Sequence, residues 1–224
     1  TGAASGIGLA AATCFAGRGM HVVMADANGS LLAEAREAVV KAASGPAADV
    51  IAVRTDVGDL AAVKALERAV LERFGSIDVV FANAGVGSNS SGTAKGDVKD
   101  WHRMVTTNLL GVMYTVKATH DAVVAAKGHY VLTGSIAGRK VLAGSIYGAT
   151  KWAITGYGQN LREELRDDGV KVTLIEPGMV DTPFFDQRKP DAMQADDVAG
   201  AVLYAISQPE NVLTGEIWIE PMKR

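Results

Sequence analysis

Six short apolar runs recur along the chain, each separated from the next by a longer stretch of helical character. They are HVVMAD (21–26), DVIAVRTD (49–56), SIDVVFANAG (76–85), GHYVLTGS (128–135), VKVTLIEPG (170–178) and EIWIEP (216–221). They are continuously apolar, as strands covered on both faces are. The helical stretches fall at 6–17, 29–43, 59–73, 97–126, 145–168 and 195–207. Strand and helix in alternation predict right-handed crossovers, a parallel sheet and helices on both of its faces. The fold class expected is therefore α/β: one doubly wound, three-layer domain over residues 1–224. A hydrophobic content of 48% is enough to fill such a core.

The chain opens TGAASGIGLA, so Gly2, Gly6 and Gly8 lead straight into the first helical stretch. A loop of this kind turns tightly, lets the backbone approach a diphosphate and aims a helix N-terminus at the negative charge. It needs a strand feeding it. The six runs leave a seventh, central strand unaccounted for, so the expectation is that the parent protein carries residues before Thr1. Asp26 ends the next strand, 24 residues after Gly2. That spacing suits a carboxylate that accepts hydrogen bonds from an adenosine ribose and repels a 2′-phosphate. Ala3, Ala4 and Ser5 in the loop, and Ala27 after the strand, offer no cation for that phosphate. NAD is expected over NADP.

A second constellation is SIYGATK, residues 145–151. Tyr147 and Lys151 are four apart and share a helix face. Ser135 ends the preceding strand, twelve residues before Tyr147. Strand C-termini line the ligand crevice of a doubly wound sheet, so serine and helix can meet there. A phenol of ordinary pKa is a poor base at neutral pH. A nearby ammonium, and the positive charge of an oxidised nicotinamide, favour the phenolate.

With these residues in view, the chain resembles the short-chain dehydrogenase/reductase family, in the group with TGxxxGxG and YxxxK signatures. The resemblance runs through TGAASGIG (1–8), FANAG (81–85), TNLLG (107–111), GSIAG (134–138), YGATK (147–151) and EPGMVDT (176–182). It implies a Rossmann-type fold and reversible oxidation of a secondary alcohol to a ketone. It implies that Tyr147 exchanges a proton with the substrate oxygen, Ser135 holds that oxygen, and Lys151 lowers the tyrosine pKa and binds the nicotinamide ribose. Asn108 would hold the active-site helix in shape and connect the lysine to a water chain. Gly2, Ser5, Gly6, Gly8 and the Ile7 backbone would cradle the pyrophosphate, with Asp26 and Ala27 near the adenosine ribose. Asp56 and Val57 would meet the adenine, and Asn83, with Ala84 and Gly85, the adenosine-side ribose region. Pro177, Gly178, Val180 and Thr182 would form the nicotinamide-side turn. Ala82 stands where the family often has an asparagine.

The remaining features narrow the partners. The net charge of −3 and pI of about 5.8 argue against nucleic acid or an anionic membrane. No apolar run is long enough to span a bilayer. Cys14 is the only cysteine, which excludes an internal disulfide and fits a cytoplasmic setting. The four histidines, His21, His102, His120 and His129, are scattered, so no metal is expected. Arg139 reads as a structural or subunit contact more than as a binder of an acidic substrate. The substrate is expected to be a small alcohol or ketone, walled by Val86–Ser88, Ile136–Val141, Met179 and Phe184–Phe185. Segments 88–97 and 184–194 are polar and loop-like, the places for mobile lids. The short stretch after Thr182 suggests an open site. A homo-oligomer, tetramer or dimer, is expected through the segments near 97–126 and 145–168. Two alternatives stay open: an NADP-dependent carbonyl reductase and a non-catalytic dinucleotide-sensing scaffold.

Overall fold

The computed structural model describes residues 1–44, 48–88 and 92–222. Element order follows the alternation in the sequence: α1 (Gly6–Ala16), β1 (Val22–Asp26), α2 (Gly29–Ala42), β2 (Val50–Arg54), α3 (Leu60–Phe74) and β3 (Val79–Ala82). Then come α4 (Val98–Met104), α5 (Gly111–Ala125), β4 (His129–Thr133), α6 (Ile146–Glu164), β5 (Lys171–Pro177), α7 (Ala195–Ile206) and β6 (Glu216–Ile219). Local chemistry sets the helix ends. Asn28, Asp59, Asp97 and Ser145 each accept a backbone amide as N-caps. Gly75 closes α3 in the left-handed region, with φ of 78°.

All strand pairs are parallel. β1 pairs with β2, and β3, β4, β5 and β6 form a second ladder in that order. The opening residues lie between the two ladders. The Thr1 amino group donates to Phe81 O on β3 at 2.9 Å, and Ala3 N donates to Ala25 O on β1 at 3.1 Å. This places the glycine loop at the point where the chain's winding reverses, which is where open α/β sheets bind ligands.

Strand β4 is buried along its whole length and sends side chains both ways. Tyr130 and Leu132 enter a core with Val112 and Val116 of α5 and Ile154 and Leu161 of α6. Val131 enters the opposite one with Val198 and Val202 of α7 and with Ile7 of α1. Helices thus cover both faces, as a continuously apolar strand requires.

One expected element is divided. The single helix read over 97–126 is α4, then a wider π turn (Val105–Leu110), then α5. Gly111 N reaches back five residues to Thr106 O. The break surrounds Asn108, whose side chain is held by groups outside the helix; π turns often mark such positions. Among the described residues, no helix is long and apolar enough to cross a membrane.

Candidate active site

The glycine loop is built for close approach. Gly2 and Gly6 have φ of 65° and 53°, the region that disfavours side chains. A Cβ on Gly8 would sit 2.1 Å from Gly2 O. The first-turn amides of α1 have no intrahelical acceptors, and that turn holds no acidic residue, so its end favours an anion. Ser5 is the exposed residue at the helix start, and its side chain makes no cap. Thr182 lies over the same loop: a Cβ on Gly6 would be 3.3 Å from Thr182 Cγ2. The cradle fits a dinucleotide diphosphate.

Asp26 is fixed by both oxygens. Oδ2 accepts from Ala4 N at 3.1 Å and Oδ1 from Asn28 N at 2.9 Å. The carboxylate therefore ties the glycine loop to the turn before α2 and retains lone pairs that could accept further hydrogen bonds, as from a ribose. Strand register brings a residue that loop reading missed. Arg54 pairs across from Asp26, and its Nε donates to Ala27 O at 3.3 Å. Arg54, Ser30, Asn28 and Ala27 line an open hollow of about 450 Å³. The signal lay in Arg54's place two residues before Asp56, but only parallel pairing carries it to Asp26.

The other cofactor-side residues hold varied positions. Asp56 is exposed, and its Oδ1 accepts from Gly58 N at 2.9 Å. Val57 is buried, tight against Gly111 of α5, so its backbone is the part that could meet an adenine. Asn83 is engaged on both sides: Nδ2 donates to Thr1 O at 3.0 Å, and Oδ1 accepts from Thr133 Oγ1 at 3.2 Å. Its amide and that of Ala84 both donate to Thr1 Oγ1 at 3.0 Å. A Cβ on Gly85 would lie 3.9 Å from Lys151 Nζ, placing this stretch beside the lysine. Gly178 N donates to Ile219 O at 2.8 Å, and Val180 bridges to Met193, which pins the turn after Pro177.

Ser135, Tyr147, Lys151 and Asn108 converge. Ser135 follows β4, accepts from Ala137 N at 3.1 Å and faces Pro177 O at 3.4 Å. Lys151 Nζ lies 5.7 Å from the Tyr147 ring centre and donates to Thr133 O at 2.7 Å. Burial lowers the Lys151 pKa to about 8. Tyr147 departs from the expected downward shift. Burial raises its hydroxyl above the ordinary value, and the influence of the Ser135 hydroxyl opposes that rise. The physical reason is that desolvation of the phenolate outweighs the help of one hydroxyl.

Asn108 is buried. Its Nδ2 donates to Thr150 Oγ1 at 3.2 Å, and Thr150 Oγ1 donates to Tyr147 O at 2.8 Å. Arg139 makes the structural contact: its guanidinium bonds Glu176 at 2.7 Å and Glu216 at 2.5 Å. Of the two expected lids, 88–97 includes residues 89–91, which lie outside the described residues. The other, 184–194, carries an aromatic pair onto Tyr147.

A family model described as short chain dehydrogenase matches residues 1–193. An uncharacterized oxidoreductase of Staphylococcus epidermidis is 36% identical over 229 residues, covering 99% of this chain and 95% of that protein. An alcohol dehydrogenase from Thermococcus sibiricus, solved with 5-hydroxy-NADP, superposes with a TM-score of 0.91 at 28% identity, over 100% of this chain and 95% of that one. A short-chain dehydrogenase/reductase from Burkholderia phymatum, solved with NAD, gives 0.85 at 29% identity, over 97% and 86%.

Proposed function

The chain belongs to the short-chain dehydrogenase family, and from that premise we propose that it interconverts a secondary alcohol and a ketone, using NAD in preference to NADP. The observation that carries this reading is the placement of Tyr147 one helical turn from the buried Lys151, whose Nζ lies 5.7 Å from its ring centre.

A bound nicotinamide dinucleotide supplies or accepts the hydride. The rest is the work of this chain. Gly2, Gly6 and Gly8 let the loop close on the diphosphate, and Asp26 accepts ribose hydroxyls. Ser135 Oγ donates to the substrate oxygen and stabilises charge there. Tyr147 Oη gives its proton to that oxygen in reduction, or takes it in oxidation. Because burial alone raises the phenol's pKa, oxidation needs further positive charge nearby. Lys151 stands on the same helix face to supply part of it and to hold a ribose. Asn108 and Thr150 keep the tyrosine's turn in place.

Absorbance of the reduced cofactor, followed with a panel of ketones and alcohols, tests the proposal. Turnover that Tyr147→Phe lowers by about 10²-fold or more supports it. A Tyr147→Phe variant with unchanged turnover refutes it. Tight cofactor binding without turnover of any compound would favour the dinucleotide-sensing scaffold instead.

One observation favours a second cofactor reading. Arg54 and Ser30 beside Asp26 could hold a 2′-phosphate that the loop itself could not. Comparing initial rates with NADH and NADPH, in the parent and in Arg54→Ala, separates the two. A loss confined to NADPH supports use of both cofactors.

The proposal extends to a homo-oligomer, tetramer before dimer, and to a cytoplasmic setting. Val98, Met113 and Trp152 support the former, being exposed apolar residues on α4, α5 and α6. Light scattering that gave a monomeric mass would refute it.

A further inference from the structure

The segment after β5 is closed on itself. Asp181 N donates to Met193 O at 2.8 Å, and Met193 N donates to Met179 O at 3.1 Å. Asp181 Oδ1 accepts from Lys189 N at 2.9 Å. With its ends pinned, the loop presents Phe184 and Phe185 at its tip. Their rings stand nearly edge to face, 5.2 Å apart at 78°. Lys189 Nζ lies 5.6 Å over the Phe185 ring, a cation–π contact that helps hold it.

Phe184 is the ring that matters for chemistry. It lies 5.5 Å from the Tyr147 ring, inclined at 57°. It also presses on bare backbone: a Cβ on Gly87 would come 2.8 Å from Phe184 Cζ and 3.2 Å from Cε1. Gly87 does not yield freely. Arg103 Nη2 donates to Gly87 O at 2.8 Å, and Asn108 holds the neighbouring Val86. A ring therefore rests on a fixed glycine platform beside the proton-carrying phenol. Yet Phe184 is 42% exposed, so it can leave the platform at modest cost in buried area.

We propose that Phe184 is a specificity-determining residue, and that it selects ketones and secondary alcohols carrying a planar apolar group on the reacting carbon. This rests on the function proposed above. A substituent beside Tyr147 meets the Phe184 ring on the Gly87 platform. A flat ring slides onto the glycine and takes Phe184 on its other face, so the contacts that are broken are remade. A puckered or branched group of equal carbon count is thicker and cannot lie between them. Arg139 does not redirect the choice toward acids, because Glu176 and Glu216 already engage it.

The test is a matched pair, acetophenone and cyclohexyl methyl ketone, which differ in the flatness of one ring. Dissociation constants are measured by saturation-transfer NMR with NAD⁺ present, which cannot reduce a ketone, and kcat/KM by absorbance of NADH. The parent should favour acetophenone by about threefold to tenfold, the worth of one aromatic pair. Phe184→Ala should bring that ratio toward one. Gly87→Ala, which keeps the phenylalanine but pushes it off the platform, should do the same. The second variant decides the matter where the first is poorly folded. A parent ratio near one, a ratio unmoved in both variants, or failure of both ketones to bind overturns the proposal. Selective binding without reduction of either ketone would sink the proposed function and leave this inference standing. Reduction of both ketones at equal efficiency would do the reverse.

Discussion

Asn108 meets Val86 as one strand residue meets another. Its Oδ1 accepts from Val86 N at 2.8 Å, and its Nδ2 donates to Val86 O at 2.9 Å. One side chain thus satisfies both backbone groups of a residue that belongs to no strand, and the helix widens into a π turn around it.

Removing that side chain strands both groups. Asn108→Ala should cost about 2–4 kcal/mol of unfolding free energy, since a buried polar group left without a partner costs about 1–3 kcal/mol. Denaturant titration measures it. A change below about 0.5 kcal/mol would show that water replaces the amide freely.

The glycine loop makes a steric prediction. A methyl at position 8 would overlap Gly2 O at 2.1 Å and Gly2 C at 2.7 Å, and both of these neighbours belong to the backbone. Gly8→Ala should lower the melting temperature and weaken NADH binding by more than about tenfold, about 1.4 kcal/mol. Fluorescence titration of NADH checks this, and affinity equal to the parent's would contradict it.

The buried ion pair predicts an order of stabilities. Glu176 is 1% exposed, and Arg139 and Thr155 both bond its Oε1. Arg139→Ala should cost about 3–5 kcal/mol, because it leaves a buried charge unpaired. Adding Glu176→Gln should recover part of that loss. A double variant less stable than the single one would show that the charge itself is not the problem.

His129 predicts an acid limb. Its Nε2 lies 2.7 Å from Thr173 Oγ1, whose own proton goes to Thr214 O, so Nε2 is the donor of that bond. Burial, with a smaller effect from the charge of Lys171, lowers its pKa from 6.5 to about 4. Between those values the unfolded chain binds the extra proton, so stability falls as pH drops through this window. The slope approaches about 1.4 kcal/mol per pH unit. His129→Gln should flatten it. Denaturation curves at stepped pH values give the answer, and an unchanged slope in the variant would assign the limb to other groups.

What was legible in the chain was local and periodic. Continuous apolar runs and amphipathic stretches gave the alternation of strands and helices, because side-chain direction repeats with fixed period in each. The glycines of the opening loop, Asp26 at a strand end and the four-residue spacing of Tyr147 and Lys151 are likewise short-range facts. Their chemistry can be read before any packing is known.

The tertiary structure decided what depends on meeting partners distant in sequence. Arg54 reaches the Asp26 corner only through the register of β1 and β2. Asn108 has its role only because Val86 lies across from it, and Phe184 only because its loop folds back on Gly87 and Tyr147. The direction of the Tyr147 shift follows from how deeply the site is buried, a property of the whole packed layer. Spacing along a chain fixes which neighbours share a helix face or a sheet face. Which faces then touch, and how much water they exclude, is set by the closing of the two cores.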